Sequence, residues 1–367
     1  MSKLPRTLAA LQEGIATRLH PGAQFYISLN GEVIADDALG EARPGTAMTA
    51  ESLTLWMSAG KPVTALAILQ LVDRGLITLD TRIADLISEF GVNGKEAITL
   101  RHILLHTAGF RGPLNNFTPG TWDEIMARVC ALKQEPGWVP GERAGYHIGS
   151  SWFVLGELVR RLDGRAIDAY AREEIFAPLD ERHASIGVPA DVFDEGQDDL
   201  ALMYVTENEP TSDWPGNSRE ANVLPRPGAN GRGPIRALGK MYATLLESTA
   251  SPAAPSYAGL LSAETARLMC TRQRAGMLDQ TFKQTLDWGL GVMIDSKQYV
   301  GEHAYGFGPH ASPDTFGHSG NQSSCAFADP NFGLVVAWTC NGMPGEAKHQ
   351  ARASAINRAI YEDLTLA

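Results

Sequence analysis

Hydrophobic positions change their period along the chain. Near the start, Thr7-Leu8-Ala9-Ala10-Leu11-Gln12-Glu13 carries an amphipathic helical pattern. Residues 24–29 and 32–35 then flank Asn30-Gly31, a dipeptide suited to a two-residue hairpin because both central positions need positive φ. A helix followed by a hairpin is predicted. The far end mirrors it: residues 324–328 and 334–339 read as strands around a turn at Asp329-Pro330-Asn331-Phe332-Gly333, and 347–364 is helical again. Between them, 63–74 is apolar almost all round and closed by Gly75, while 151–162 and 235–246 repeat at helical spacing. The proline- and glycine-rich stretch 206–233 is expected to be a long ordered loop near a site.

Neither end alone supplies enough strands to bury a sheet face, so the ends are expected to share one. The predicted class is α/β (α+β): an antiparallel sheet built from both termini, flanked by helices, with a mainly helical insertion. Residues 1–75 plus 255–367 form the expected sheet domain and 76–254 the helical one, with the active site between them.

Composition narrows the partners. Of 367 residues, 44% are hydrophobic and 20% charged, enough for a core without metal or disulfide staples. A net charge of -11 disfavours nucleic acid and anionic lipid and points to a small neutral or cationic ligand. Cys130, Cys270, Cys325 and Cys340 form no CxxC pair, which fits reduced thiols and no metal site. No apolar run reaches the ~18 residues of a membrane span, and the first residues lack a secretory apolar region, so a cytoplasmic protein is expected.

The informative chemistry is in Leu55-Trp56-Met57-Ser58-Ala59-Gly60-Lys61-Pro62. A serine three residues before a lysine puts hydroxyl and amine on one side of a helical turn. Pro62 is tolerated only in a first turn, so Ser58 sits at or just ahead of the helix N-terminus, where free N–H groups stabilise negative charge. Ser58 can act as nucleophile if Lys61 is desolvated enough to accept its proton. Ser-x-x-Lys alone is a weak signal, against which an ordinary helix cap is the default.

Further segments supply context. Gly75-Leu76-Ile77-Thr78-Leu79-Asp80, Leu104-Leu105-His106-Thr107-Ala108-Gly109, Trp288-Gly289-Leu290-Gly291 and Phe316-Gly317-His318-Ser319-Gly320 follow in order. With Ser58 to Lys61 they make the chain similar to the serine β-lactamase-like superfamily, which includes class C β-lactamases, DD-peptidases, family VIII carboxylesterases and related acyltransferases. The resemblance implies that fold and an acyl-enzyme on Ser58. It matches Tyr146 to the family tyrosine of Tyr-x-Asn, with Ile148 in place of the asparagine and His147 as a partial substitute in substrate binding. His318-Ser319-Gly320 stands where β-lactamases carry Lys-Thr-Gly; His318 is expected to polarise Tyr146 or contact substrate, and Ser319 and Gly320 to bind it. The N–H groups of Ser58 and Asn321 are the implied oxyanion hole.

Trp138 and Trp214 lie in proline- and glycine-rich loops and are the candidate acyl-pocket aromatics, with core packing as the default. Arg226 and Arg232 could bind a carboxylate, with solvated surface charge as the default. His102 and His106 have the spacing of a zinc helix but lack its glutamate, so hydrogen-bonded structural histidines are expected. The expected activity is hydrolysis of a small carboxylic ester without cofactor. Acyl transfer, amide hydrolysis and β-lactamase or DD-peptidase activity are alternatives on the same chemistry; a non-catalytic binding protein is the alternative of another class.

Overall fold

A computed structural model describes residues 3–112, 118–195, 199–250, 259–300 and 305–367. Helix α1 (Pro5–Ala16) leads into strands β1 (Gly22–Leu29) and β2 (Glu32–Arg43). Asn30 and Gly31 both take positive φ, 49° and 81°, as the Asn-Gly hairpin requires. Strands β3 (Thr46–Ala47), β4 (Thr54–Leu55), β5 (Ser185–Ile186), β6 (Tyr204–Val205) and β7 (Gly231–Gly233) are short. Later come β8 (Arg274–Asp279), β9 (Gln284–Trp288), β10 (Met293–Ile294), β11 (Phe316–Gly320), β12 (Ser324–Asp329), β13 (Leu334–Cys340) and β14 (Gly342–Met343).

The main sheet runs β3-β2-β1-β13-β12-β11-β10-β9-β8, so strands from the two ends meet where β1 pairs antiparallel with β13, Phe25 opposite Trp338. β12 and β13 are buried along their whole length because helices cover both faces, Arg236–Ala250 on one and, through the contacts of Trp338 with Asn357 and of Phe327 with Tyr361, Glu346–Asp363 on the other. Helices α2 (Lys61–Asp73), α3 (Ser150–Asp163), α4 (Arg236–Ala250) and α5 (Glu346–Asp363) match the helical patterns, and α4 packs on β1, β12 and β13. The all-round apolar α2 is buried from Lys61 to Leu71, as a helix with no polar face must be, and packs on α3. In a second sheet, β4-β7-β5, strand β4 lies just before the nucleophile turn in sequence, and β6 pairs in parallel with β14.

The four cysteines are free and buried. Among the described residues no helix is long and apolar enough to cross a membrane, and no cluster of three His, Cys, Asp or Glu side chains could hold a metal. His102 instead completes a capping box with Thr99 on the short helix Leu100–Leu104. The 206–233 stretch is ordered but not wholly a loop, since it contains the helix Arg219–Val223 and β7.

Candidate active site

Ser58 is held by a turn fixed on three sides. Residues Met57–Gly60 form a 3-10 turn running into α2, and Pro62 sits in the first helical turn, where its missing N–H costs nothing. Met57 has a φ of 50°, a conformation a side chain of this size adopts only when its surroundings impose it. Those surroundings converge on Trp56. Its N–H donates to Gly231 O at 2.9 Å and its Nε1 to Gly233 O at 3.1 Å, while its carbonyl accepts from Ser324 Oγ at 2.6 Å.

Strand β11 closes from the other side. A Cβ on Gly320 would lie 2.1 Å from Ser324 Oγ and 2.5 Å from Trp56 O, so only glycine lets β11 come this close. This corrects the expectation for Gly320, which spaces the strand from the turn and does not line the cavity.

The geometry of Lys61 is specific. Its Nζ lies 3.1 Å from Ser58 Oγ and 2.9 Å from Ile148 O, and it also bonds Gly228 O. Lys61 is fully buried, and desolvation pushes its pKa well below the ordinary lysine value. A neutral amine has two N–H bonds and one lone pair. Two carbonyls take the donors, and the lone pair is left for the Ser58 hydroxyl proton. The rings of Tyr146 and Trp152 each lie 5.3 Å from Nζ, so a proton arriving there meets two aromatic faces.

Tyr146 is clamped by the turn after β8. Its N–H donates to Asp279 Oδ1 at 3.0 Å and its carbonyl accepts from Thr281 Oγ1 at 2.9 Å. Asp279 also accepts the N–H groups of Thr281 and Phe282 and pairs with buried Arg274 at 3.4 Å. Burial pushes the phenol pKa up, against a hydrogen bond with Ser58, so Tyr146 is protonated at neutral pH. The ring packs 4.8 Å from Phe282 and 4.7 Å from His106, whose Nδ1 accepts the N–H of His147.

Ser58 opens into a cavity of about 370 Å³ lined by Met57, Tyr146, Ile148, Trp214, Thr281, Phe282, Met293, Tyr305, His318, Ser319 and Asn321. Larger hollows exist, but this one contains the hydroxyl. Among the described residues no Asp, Glu, Lys or Arg lines it. Burial pushes the His318 pKa down to about 3, so the imidazole is neutral. Its Nδ1 is 2.8 Å from Ser319 O, which fixes the proton on Nδ1 and leaves Nε2 as an acceptor. His318 and Tyr146 meet as tilted rings 5.9 Å apart. Ser319 donates its hydroxyl to Tyr305 O at 3.0 Å, and so offers the cavity little polarity of its own.

Ser58 precedes the first bond of its turn, from Ala59 N–H to Trp56 O, so its own N–H has no partner within the turn. Asn321 follows directly on the end of β11 at the cavity wall. These are the two positions expected to supply the oxyanion donors.

Four further expectations about the Ser58 cavity fail. His147 is fully buried against Phe110, its ring 3.3 Å from Ser150 Oγ through Nδ1, and does not reach the cavity. Trp138 is buried too, donating to Thr107 O at 2.9 Å with the Arg111 and Arg143 guanidinium groups over its ring. The glycines of its loop, Gly137 and Gly141, are needed for positive φ, 67° and 91°, while close packing on the Trp138 ring is at Gly109 of another segment. Arg226 and Arg232 are buried rather than solvated, and neither lines the cavity; Arg226 donates to Thr118 O and Arg232 to Leu53 O and Ala201 O. Trp214 does line it. Thr281, Phe282, Met293 and Tyr305 were not foreseen, because no local pattern marks a residue that becomes a wall only when distant segments fold together.

Comparison with known proteins agrees with this geometry. The Beta-lactamase family model matches residues 8–360. "Penicillin-binding protein 4" of Amycolatopsis lactamdurans is 29% identical over 342 residues, covering 90% of this chain and 83% of that protein. "Esterase/beta-lactamase LipL" of Mycobacterium tuberculosis is 27% identical over 346 residues, covering 87% and 77%. The crystal structure of a penicillin-binding protein homologue from Caulobacter crescentus superposes with a TM-score of 0.80 at 26% identity, over 99% of this chain and 98% of that one.

Proposed function

The chain belongs to the beta-lactamase family, and from that premise we propose that it hydrolyses a small, uncharged carboxylic ester through an acyl-enzyme on Ser58. The Lys61 lone pair takes the Ser58 proton as Oγ attacks the ester carbonyl. The developing oxyanion is held by the N–H groups of Ser58 and Asn321, a type of donor worth about 3 kcal/mol each. Tyr146, protonated and hydrogen-bonded to Ser58, passes a proton to the leaving alkoxide and is reprotonated through Lys61. Water enters by the same route in reverse, attacks the acyl carbon and releases the acid with free Ser58. His318 contributes a neutral ring to the cavity wall.

One observation carries this reading: a buried amine with no ion pair among the described residues, 3.1 Å from Ser58 Oγ, whose other two hydrogen bonds go to carbonyls. The ester preference rests on the uncharged wall. Among the described residues no cation lines this cavity to meet a substrate carboxylate, Arg111 of the adjoining hollow being paired with Glu135, and Ile148 offers no side-chain hydrogen bond to an amide. The mycobacterial relative's name joins esterase and β-lactamase, which fits the same chemistry with ester as one of its substrates. We place the site between a sheet domain of 1–75 plus 255–367 and a helical domain of 76–254, the β8–β9 turn of the first clamping Tyr146 of the second. Four free thiols fit a reducing compartment such as the cytoplasm.

The test is hydrolysis of p-nitrophenyl butyrate by wild type and Ser58→Ala. Loss of at least a thousandfold in kcat/KM with unchanged Tm is expected; full activity in the variant refutes the scheme.

A further inference from the structure

A hollow of about 510 Å³ lies on the far side of β7 from the nucleophile turn. Side chains alternate across a strand, and Gly231 and Gly233 face Trp56, so Arg232 between them points the other way. Arg232 lines the hollow and is 2% exposed. Its Nη1 donates to the carbonyls of Leu53 and Ala201, its Nε has no acceptor, and among the described residues no carboxylate pairs with it. Guanidinium is almost never buried without an anion, because desolvating its charge is costly.

The rest of the wall offers one carboxylate not engaged elsewhere, exposed Asp199, and it makes no ion pair with Arg232. Arg182 and His183 add exposed cationic and titratable groups. Of the acidic groups, Glu51 is engaged by Arg236 at 2.6 and 2.8 Å. Asp199 is the remaining carboxylate, and Arg172 is matched by Asp168 at 3.0 Å. In a chain of net charge -11 this is a local cationic patch. Its other walls are apolar: Leu53 and Val188 belong to one small core cluster, with Val192 packed on it. A second hollow of about 410 Å³ shares Val188, Pro189 and Arg172 and continues over Ile167, Val223 and Leu224.

We infer that the two adjoining hollows form a second binding site, separate from Ser58, for an amphipathic organic anion. An oxyanion head, carboxylate or phosphate ester, sits on Arg232 and Arg182, and an alkyl body runs along Leu53, Val188 and Val192 toward the second hollow. A planar guanidinium with free N–H groups suits either head.

The test is a methyl-NMR titration of the full chain with sodium octanoate, octyl phosphate and, as the uncharged control, 1-octanol. The expected result is saturable shifts of the Leu53, Val188 and Val192 methyls with at least one anion, at least tenfold weaker binding of octanol, and a tenfold loss of anion affinity in Arg182→Ala. Arg182 is exposed, so that variant keeps the fold; Val192→Trp, which fills the hollow, is expected to abolish the shifts. Response to octanoate alone assigns a carboxylate head, to octyl phosphate alone a phosphate ester, and to both a general oxyanion site. No shifts, shifts confined to Ile148 and Met293 in the Ser58 cavity, equal binding of octanol, or unchanged affinity in Arg182→Ala overturns the proposal.

Discussion

Replacing Lys61 by methionine separates chemistry from packing. Methionine has nearly the length of lysine and fills the same space, so no cavity opens beside Tyr146 and Trp152. Buried Gly228 O and part-buried Ile148 O lose their donor, at about 1–3 kcal/mol for the former and less for the latter, while the desolvation cost of the amine is relieved. The opposing terms leave a net loss of about 2–3 kcal/mol at most. Activity should respond differently. A positioned general base contributes about 10²- to 10⁴-fold, so kcat/KM should fall by at least about a hundredfold. KM should hold, because Lys61 does not line the substrate cavity. Lys61→Arg should be as inactive, since a guanidinium cannot give up its proton to become a base. The assays are p-nitrophenyl butyrate kinetics and urea unfolding on the same preparations. A Lys61→Met enzyme within tenfold of wild type would refute the assignment of Lys61 as base.

The remaining predictions concern pH and the frame around the site. Because burial lowers the Lys61 pKa, kcat/KM should rise with pH and reach its plateau below the ordinary lysine value of about 10.4; a limb centred at or above that value would contradict a desolvated base. His147 and His318, pushed down to about 3, stay neutral in the folded state while the unfolded chain protonates them below about 6.5. The unfolded state then binds more protons, so stability falls as pH drops from about 6.5, by up to about 1.4 kcal/mol per pH unit for each histidine. A urea midpoint that stays level from about pH 7 to 5 would argue against this. Asp279→Ala strands buried Arg274 and frees the Tyr146 clamp, and should cost about 3–5 kcal/mol in urea unfolding. Gly320→Ala drives a Cβ into Trp56 O, and should lower stability by about 1–3 kcal/mol and kcat by more than a change far from Ser58 would; wild-type kinetics would show that β11 can move aside.

What was legible in the sequence was local. Asn30-Gly31 specified its hairpin through the φ values it tolerates, and Pro62 fixed where α2 begins and so where Ser58 stands. Ser58, Lys61 and Tyr146 were found by spacing and resemblance, and the structure brings them together around one amine. What failed depended on burial. His147 and Trp138 looked like site residues from their neighbours in the chain, yet both turn inward, and Gly137 and Gly141 near Trp138 serve a backbone turn with positive φ. Phe282 and Tyr305 line the cavity from segments more than 200 residues after Ser58, a placement that no period or motif encodes. That no described Asp, Glu, Lys or Arg lines the Ser58 cavity likewise emerges only when these walls are assembled, and it is the feature that favours a neutral ester.

The central claim is that Ser58 is activated by its neighbours, and active-site labelling tests it most directly. The protein is incubated with a fluorophosphonate at neutral pH, and intact mass and peptide mapping read out the adduct. One phosphonyl group on Ser58 is predicted, absent in Ser58→Ala and slowed at least about a hundredfold in Lys61→Met. An unmodified wild-type protein, or labelling of Ser58 at the same rate without the Lys61 amine, would contradict it.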